Sequence, residues 1–159
     1  MNILEIILEI KKDNRCIVKE SLGVPQISSS LIFPEDLKVF YENCGGIIFF
    51  GESKYPFEIL PPQEFQRANP IILGENHEDD ISFNWFLIGK NDEQLISIDL
   101  SKEKNGRCYD SFWEVHGVSG SQPIIANSFT DLLVRFFFNN GNYWYWLDKD
   151  FNKIGDAYE

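Results

Sequence analysis

The sequence predicts an α+β fold: a single domain, residues 1–159, in which helices flank a central antiparallel β-sheet. Three observations predict it. Apolar residues recur at helical spacing near both ends of the chain, short apolar or alternating runs fill the middle, and turn residues separate those runs as in antiparallel hairpins. A chain of 159 residues suits one domain with one core, and neither an internal repeat nor a linker divides it.

A first amphipathic helix is predicted at the N-terminus. Four isoleucines fall at i, i+3, i+4 and i+7 and so share one helical face: Ile3, Ile6, Ile7 and Ile10. The opposite face is charged but not predominantly basic, which favours packing against the core over contact with a membrane. Because glutamates interrupt the apolar run and no basic region precedes it, a signal peptide is not expected.

A second helix is predicted to begin at Pro34 and to end at Gly45. Proline suits the first helical position, because its missing N–H would have no intrahelical partner there. Gly45 is expected to supply the left-handed residue that ends the helix. The predicted buried face consists of Leu37, Phe40, Tyr41 and Cys44.

The middle of the chain predicts strands. Six short segments have strand-like patterns and turn residues between them: 47–50, 56–60, 85–88, 95–99, 107–110 and 112–115. A brief helical turn is expected within 63–69. Near the C-terminus, residues 143–148 are predicted to form another strand, and 155–158 to pair back as a last hairpin.

The third predicted helix has the clearest signals of any element. Ser128 stands at its N-cap with Asp131 three residues on, and Asn139-Asn140-Gly141 ends it. Its apolar stripe consists of Phe129, Leu132, Leu133, Phe136 and Phe137.

The composition is strongly acidic. With 14 Lys and Arg against 25 Asp and Glu, the formal net charge is −11. Such a surface repels phosphate backbones, so it argues against nucleic acid as a partner and favours a basic protein, although acidity can also serve solubility alone. Cys16, Cys44 and Cys108 lack CxxC spacing, which indicates free thiols. No apolar run approaches the ~20 residues of a membrane span, so a cytoplasmic protein is expected.

Two acidic segments resemble metal sites without meeting their requirements. Asp148, Asp150, Asn152, Asp156 and Glu159 follow the spacing of a calcium loop, but Lys153 stands where the tight turn needs glycine. The segment 75–80 holds several potential ligands, but nothing in its sequence fixes their geometry, and a solvated loop is predicted. Neither a metal nor a cofactor is expected.

Catalysis is not expected either. A thiolate at Cys108 could be activated by His116 or His77, but no local nucleophile motif supports the pairing. The sequence contains no phosphate-cradling glycine loop, zinc spacing or nucleophile elbow. Cys108 is therefore predicted to be a packing residue, and His116 to belong to a turn.

Partner contacts are predicted at acidic and aromatic residues. The acidic candidates, which would attract a basic partner, are Glu75, Glu78, Asp79 and Asp80. The candidate aromatic anchors are Trp113, Trp144 and Trp146. If 143–148 is a strand, its two tryptophans face one side and its two tyrosines the other, and only the exposed set can form an interface. The sequence leaves open which set that is.

Residues 32–46, Ile-Phe-Pro-Glu-Asp-Leu-Lys-Val-Phe-Tyr-Glu-Asn-Cys-Gly-Gly, resemble the signature of the SUKH superfamily, which includes fungal cell-wall assembly regulators. Later stretches at 86–91, 98–100, 106–110 and 125–133 occur in the order typical of that family. The resemblance implies an α+β fold with a central antiparallel sheet. For bacterial members it implies a non-catalytic role as immunity proteins against polymorphic toxins, many of them nucleases.

The positions that match the family's motifs are predicted to have structural roles. They are Pro34, Gly45, Gly46, Gly89, Asp99, Asp110 and Ser128. Because family members bind very different toxins, the resemblance transfers no contact residue. The predicted function is neutralisation of a cognate protein toxin, such as a basic nuclease, and the alternative is a regulatory or scaffold role in cell-wall or envelope synthesis.

Overall fold

The computed structural model describes residues 1–159 as helices packed on a seven-stranded sheet, whose strands lie side by side in chain order and pair antiparallel. The strands are β1 (Ile17–Val18), β2 (Ile47–Phe49), β3 (Phe57–Ile59), β4 (Trp85–Lys90), β5 (Leu95–Asp99), β6 (Cys108–Asp110) and β7 (Ile124–Ala126). The helices are α1 (Ile3–Lys12), α2 (Glu35–Asn43), α3 (Ala68–Leu73) and α4 (Phe129–Asn139). The predicted α+β class and antiparallel sheet are confirmed.

Helices α1 and α4 form as the sequence predicts. The four isoleucines of the α1 stripe are all buried, and Asn2 and Glu5 complete a reciprocal capping box at its start. In α4 the Ser128 hydroxyl accepts a hydrogen bond from the Asp131 N–H at 3.0 Å, and Asn140 ends the helix in a left-handed conformation. None of the helices is long and apolar enough to cross a membrane.

Helix α2 buries the predicted residues but ends differently. Its first residue is Glu35, so Pro34 occupies the N-cap, one position earlier than predicted. The prediction that Gly45 is left-handed is wrong, because Cys44 ends the helix in an extended conformation and the positive φ of 135° belongs to Gly46. Glycine is needed at position 45 for space, since a Cβ atom there would lie 2.1 Å from the carbonyl oxygen of Glu20.

The two faces of the sheet pack against different parts of the chain. The helix face meets α1, α2 and α4, and its strand residues belong to one apolar core of 29 buried residues. Phe86, Ile98 and Cys108 are cross-strand partners on this face. The opposite face, called the loop face here, carries Leu87, Ser97 and Tyr109 in the neighbouring register and is covered by α3, by residues 111–121 and by the C-terminal residues 154–158.

A β-bulge in β4 changes which residues face the helices. The register between β4 and β5 shifts between Leu87 and Gly89, so that Gly89 pairs with Ile96 on the helix face. A Cβ atom at Gly89 would lie 2.3 Å from the ring of Phe57. The aromatic ring fills the space that any other residue at this position would need.

Two predicted strands are wrong. Residues 112–115 form a turn, because the carboxylate of Asp110 accepts the Phe112 N–H at 2.9 Å and bends the chain away from the sheet. Within 143–148, Tyr145–Leu147 is a 3-10 helix whose backbone bonds stay local. The C-terminal residues pair instead with the start of β7, through the Ile124 N–H and the Gly155 carbonyl. The sequence patterns did not identify β1, β7 or the extent of α3.

Candidate partner-binding surface

The acidic loop, residues 74–80, connects α3 to the 3-10 helix Ile81–Asn84. Glu75, Glu78 and Asp79 are exposed, as a solvated loop requires. Asp80 is half-buried and holds the loop in place, because its carboxylate accepts the Ser82 N–H at 3.0 Å and the Tyr158 hydroxyl at 2.7 Å. Burial raises the pKa of Asp80, but these hydrogen bonds outweigh it and leave the pKa below its usual value.

The second element of the surface is the tryptophan loop, residues 111–121, which follows β6. Its first turn is closed by the His116 N–H, which donates to the Phe112 carbonyl at 3.0 Å. The Trp113 side chain is 66% exposed, whereas His116 is buried beneath the loop. The amide of Gln122 accepts the Gly117 N–H at 2.8 Å and donates to the Asp110 carbonyl, which ties the loop to the end of β6.

A buried chain of polar side chains joins the two loops to the sheet. His116 Nε2 lies 2.6 Å from Asn69 Oδ1, and His116 Nδ1 lies 3.0 Å from the Ser111 hydroxyl, which contacts Ser97 in β5 at 2.7 Å. The Asn69 amide nitrogen donates to the Asn76 carbonyl and to the Ser82 hydroxyl, both at 2.9 Å. These contacts therefore run from the sheet, through the tryptophan loop, to the acidic loop and to the 3-10 helix that follows it.

The directions of these hydrogen bonds follow from their partners. Asn69 donates through its nitrogen to a carbonyl, so its oxygen is an acceptor and His116 Nε2 must carry a proton. Neutral His116 then accepts the Ser111 hydroxyl at Nδ1. Burial lowers the pKa of His116 to about 4, opposed in part by the negative charge of Asp80. The neutral imidazole therefore completes the chain, which fixes the two loops relative to each other.

Apolar side chains are exposed where the loops meet. Leu73, at the end of α3, packs beside Gly117. A Cβ atom added at Gly117 would lie 3.9 Å from Leu73 Cδ1 and 3.9 Å from the Tyr158 hydroxyl. Leu73 is 40% exposed, Val118 44% and Ile81 42%. The segments 68–89 and 108–134 contain no lysine or arginine. This part of the molecule thus combines exposed apolar groups with acidic groups.

Trp144 and Trp146 lie elsewhere. Each is 6% exposed and belongs to the core on the helix face, where their rings stack with centroids 5.6 Å apart. Trp146 donates to the Asp110 carboxylate at 2.9 Å. Buried side chains offer a partner almost no surface, so these two tryptophans are not part of the candidate partner-binding surface. Tyr143, from the alternative set, is exposed.

Two buried carboxylates from the predicted structural set have internal partners. Asp99 accepts hydrogen bonds from Trp85 Nε1 at 3.2 Å and from the Tyr109 hydroxyl at 2.6 Å. Asp110 accepts the Trp146 indole, and burial raises its pKa against the effect of that bond and of the Phe112 N–H. Asp99 thus joins β5 to β4 and β6, and Asp110 joins β6 to the 3-10 helix Tyr145–Leu147.

Cys108 and His116, the residues considered for catalysis, lie on opposite faces of the sheet and so do not form a catalytic pair. Cys108 is fully buried on the helix face, where burial raises the pKa of its thiol well above the ordinary value. Both ring nitrogens of His116 are hydrogen-bonded, to Asn69 and Ser111. Aspartate, glutamate, cysteine and histidine side chains nowhere gather in groups of three or more that could hold a metal ion.

Sequence reasoning identified part of this surface and missed the rest. The acidic loop and Trp113 were found from residue type alone. The sequence did not identify Leu73, Val118 or the hydrogen bonds through Asn69 and Ser111, because these contacts join segments that are far apart in the sequence. The Asn69–His116 bond, for example, spans 47 residues.

Comparison with known proteins identifies the family of the chain. The family model described as SMI1 / KNR4 family (SUKH-1) matches residues 26–135. The protein named Immunity protein YokJ, from Bacillus subtilis (strain 168), is 42% identical over 162 aligned positions, which cover 100% of this chain and 97% of that protein. The chain therefore belongs to the SMI1 / KNR4 family (SUKH-1).

Proposed function

We propose that this chain is an immunity protein, which neutralises a cognate protein toxin by binding it and does not turn over a substrate. The observation that carries the proposal is its similarity, over essentially the full length of both chains, to a protein named as an immunity protein. The placement of the catalytic candidates is consistent with binding alone, since Cys108 is buried away from solvent and His116 serves as a structural hydrogen-bonding group.

The charge of the chain favours a basic toxin, and a nuclease is the class we propose. A nuclease holds phosphate groups in a positively charged groove. A protein with a net charge of −11 is attracted to such a groove over several ångströms, which speeds encounter and orients it. Blocking the groove would stop the toxin without any chemical step.

The acidic loop is the proposed site of electrostatic contact. Glu75, Glu78 and Asp79 are exposed and have no lysine or arginine within their own segment. Asp80 contributes charge at the base of the loop while it holds the loop through Ser82 and Tyr158. Contacts of this kind at the rim of an interface act mainly on the association rate.

Co-expression with the toxin domain encoded beside its gene tests the proposal. We expect the cells to survive and a one-to-one complex to be recovered by pull-down. Titration of the purified toxin domain should then abolish its activity at one equivalent, because a stoichiometric inhibitor is consumed. Killing without a complex would contradict immunity and favour a regulatory or scaffold role, and inactivation by far less than one equivalent would indicate catalysis.

A further inference from the structure

Several exposed apolar side chains lie on the loop face, in segments that also carry acidic groups. Leu73, Trp113 and Val118, called the docking patch here, come from the end of α3 and from the tryptophan loop. Trp113 is 66% exposed, the same fraction as Leu22 and more than any other large apolar side chain on the molecule. Covering an exposed tryptophan removes a large apolar area from water, and tryptophan is among the side chains that dominate binding energy when a partner covers them.

The backbone that carries the docking patch is fixed before any partner binds. The turn that presents Trp113 is closed by the His116 N–H, and the buried imidazole connects that turn to α3 through Asn69. Leu73 in turn lies against Gly117. A surface fixed in this way loses little conformational entropy on binding, so the burial of its apolar area contributes more of its free energy to affinity.

The charges around the docking patch specify the chemistry of what covers it. The segments that build the patch carry Glu75, Glu78, Asp79 and Glu114, and Arg67, the N-cap residue of α3, lies close enough to Glu78 to offset only part of this negative charge. A second copy of this chain would bring the same negative charges against them, which disfavours self-association. Charge complementarity requires a basic rim on the partner, and the exposed apolar side chains require an apolar recess inside that rim.

We propose that Trp113, Leu73 and Val118 are the apolar centre of the interface with the toxin, and that they fill an apolar recess on the basic face of that protein. This inference rests on the proposed function. It separates two tasks: the acidic loop accelerates association, and the docking patch slows dissociation. The partner is then recognised by the shape of its recess as well as by its charge.

Substitutions in the docking patch test the inference against matched controls elsewhere. Binding of the purified toxin domain encoded beside the gene is followed by surface plasmon resonance at constant salt. Trp113→Ala is paired with Phe138→Ala, because Phe138 is 62% exposed on α4. Val118→Arg is paired with Leu147→Arg, because these residues are 44% and 45% exposed.

We expect Trp113→Ala to raise Kd by roughly 30-fold or more, mainly through faster dissociation, as for the central aromatic of an interface. Val118→Arg should weaken binding at least as much, since it places a cation against a basic rim. Both controls should stay within about 3-fold of the unmodified protein, because exposed groups outside an interface contribute little to affinity.

The outcomes separate the two proposals. If the unmodified protein binds tightly and the patch variants bind as well as their controls, the docking patch is overturned while immunity stands. Equal weakening by patch and control variants would also overturn it. Absence of any complex with the unmodified protein would remove the proposed function, and this inference with it.

Discussion

The two faces of the sheet are built by different chemistry. On the helix face, stripes of isoleucine, leucine and phenylalanine meet in one apolar core, and aromatic rings such as Phe57 and Phe136 stack with centroids 4.3 Å apart. On the loop face the buried residues include Ser97, Ser111 and His116, and they are joined by hydrogen bonds. The first face is stabilised mainly by buried apolar area, with the Trp146–Asp110 hydrogen bond at its edge, whereas the second also depends on the directions of its hydrogen bonds.

The difference indicates a division of tasks. Hydrophobic burial is non-directional, so the stability of the helix face depends mainly on the apolar area and volume that it buries. Hydrogen bonds require defined geometry, and a buried chain of them selects one arrangement of the loops it connects. The face that positions an exposed surface is therefore the one whose interior combines apolar clusters with a buried network of hydrogen bonds.

Removing a large ring from the helix face should have the largest effect on stability. Phe136→Ala is expected to lower the free energy of unfolding by about 3–5 kcal/mol, because it leaves a cavity among the rings of Phe49, Phe57 and Trp146. Denaturant unfolding measures the change. Phe138→Ala, on the exposed side of the same helix, is expected to change it by less than about 0.5 kcal/mol. Similar losses in both variants would contradict the assignment of the core.

Acidification should have the second-largest effect on stability, through the buried histidine of the loop face. His116 has a pKa of about 4 in the folded protein and near 6.5 when unfolded, so between these values the unfolded chain binds more protons and stability falls as the pH falls. The contribution of neutral His116 to the free energy of unfolding is fully present above pH 6.5. At most about 3 kcal/mol of it is lost by pH 4.

His116→Gln isolates this contribution. Buried Asp110, whose pKa is raised, acts in the opposite sense at the acidic end of the range, since its protonation favours the folded state. The difference between the unmodified protein and the variant, followed by denaturant unfolding from pH 7 to 4, cancels that term. A difference that does not change with pH would show that His116 is not held neutral.

Breaking the polar chain should loosen the loops more than the core. His116→Ala leaves Asn69 Oδ1 without its hydrogen-bond donor and removes one of the two partners of the Ser111 hydroxyl, and we expect the free energy of unfolding to fall by about 2 kcal/mol. Hydrogen exchange should accelerate most in residues 74–80 and 111–121, with α4 changing only as far as global stability changes. His77→Ala, in the exposed part of the acidic loop, is the control and should leave both segments protected.

The sequence predicted the helix face better than the loop face for a physical reason. Amphipathic stripes in α1, α2 and α4 have a period that identifies the buried side, and the β4–β5 hairpin is bounded by turn residues. Periodicity does not report local hydrogen bonds. Asp110 turns the chain at Phe112, and the 3-10 helix at Tyr145 buries Trp144 and Trp146 where alternation predicted a strand.

The candidate surface was predictable only in its exposed, single-segment parts. Acidic residues in a run identify a solvated loop, and this was sufficient to select Glu75, Glu78 and Asp79. The residues that hold the surface, Asn69 and His116, are far apart in the chain and share no pattern. Their roles follow only from tertiary structure.

Charge reversal of the acidic loop should have the smallest effect on stability. It also tests whether association with the toxin depends on contacts made by this loop or only on the net charge of the protein. Glu75→Lys, Glu78→Lys and Asp79→Lys together are expected to slow association with the toxin by about 10-fold and to reduce its salt dependence, with dissociation changing less. The control reverses Glu42, Asp92 and Glu103, which are also exposed and lie outside the docking patch and the acidic loop.

Both triple variants change the net charge equally, so a purely global attraction would slow both to the same degree. Stopped-flow association rates measured from low to moderate salt distinguish the cases. A larger effect at the acidic loop locates the encounter on the loop face. Equal effects would remove these residues from the interface, and the docking patch would then have to act without electrostatic guidance from its neighbours.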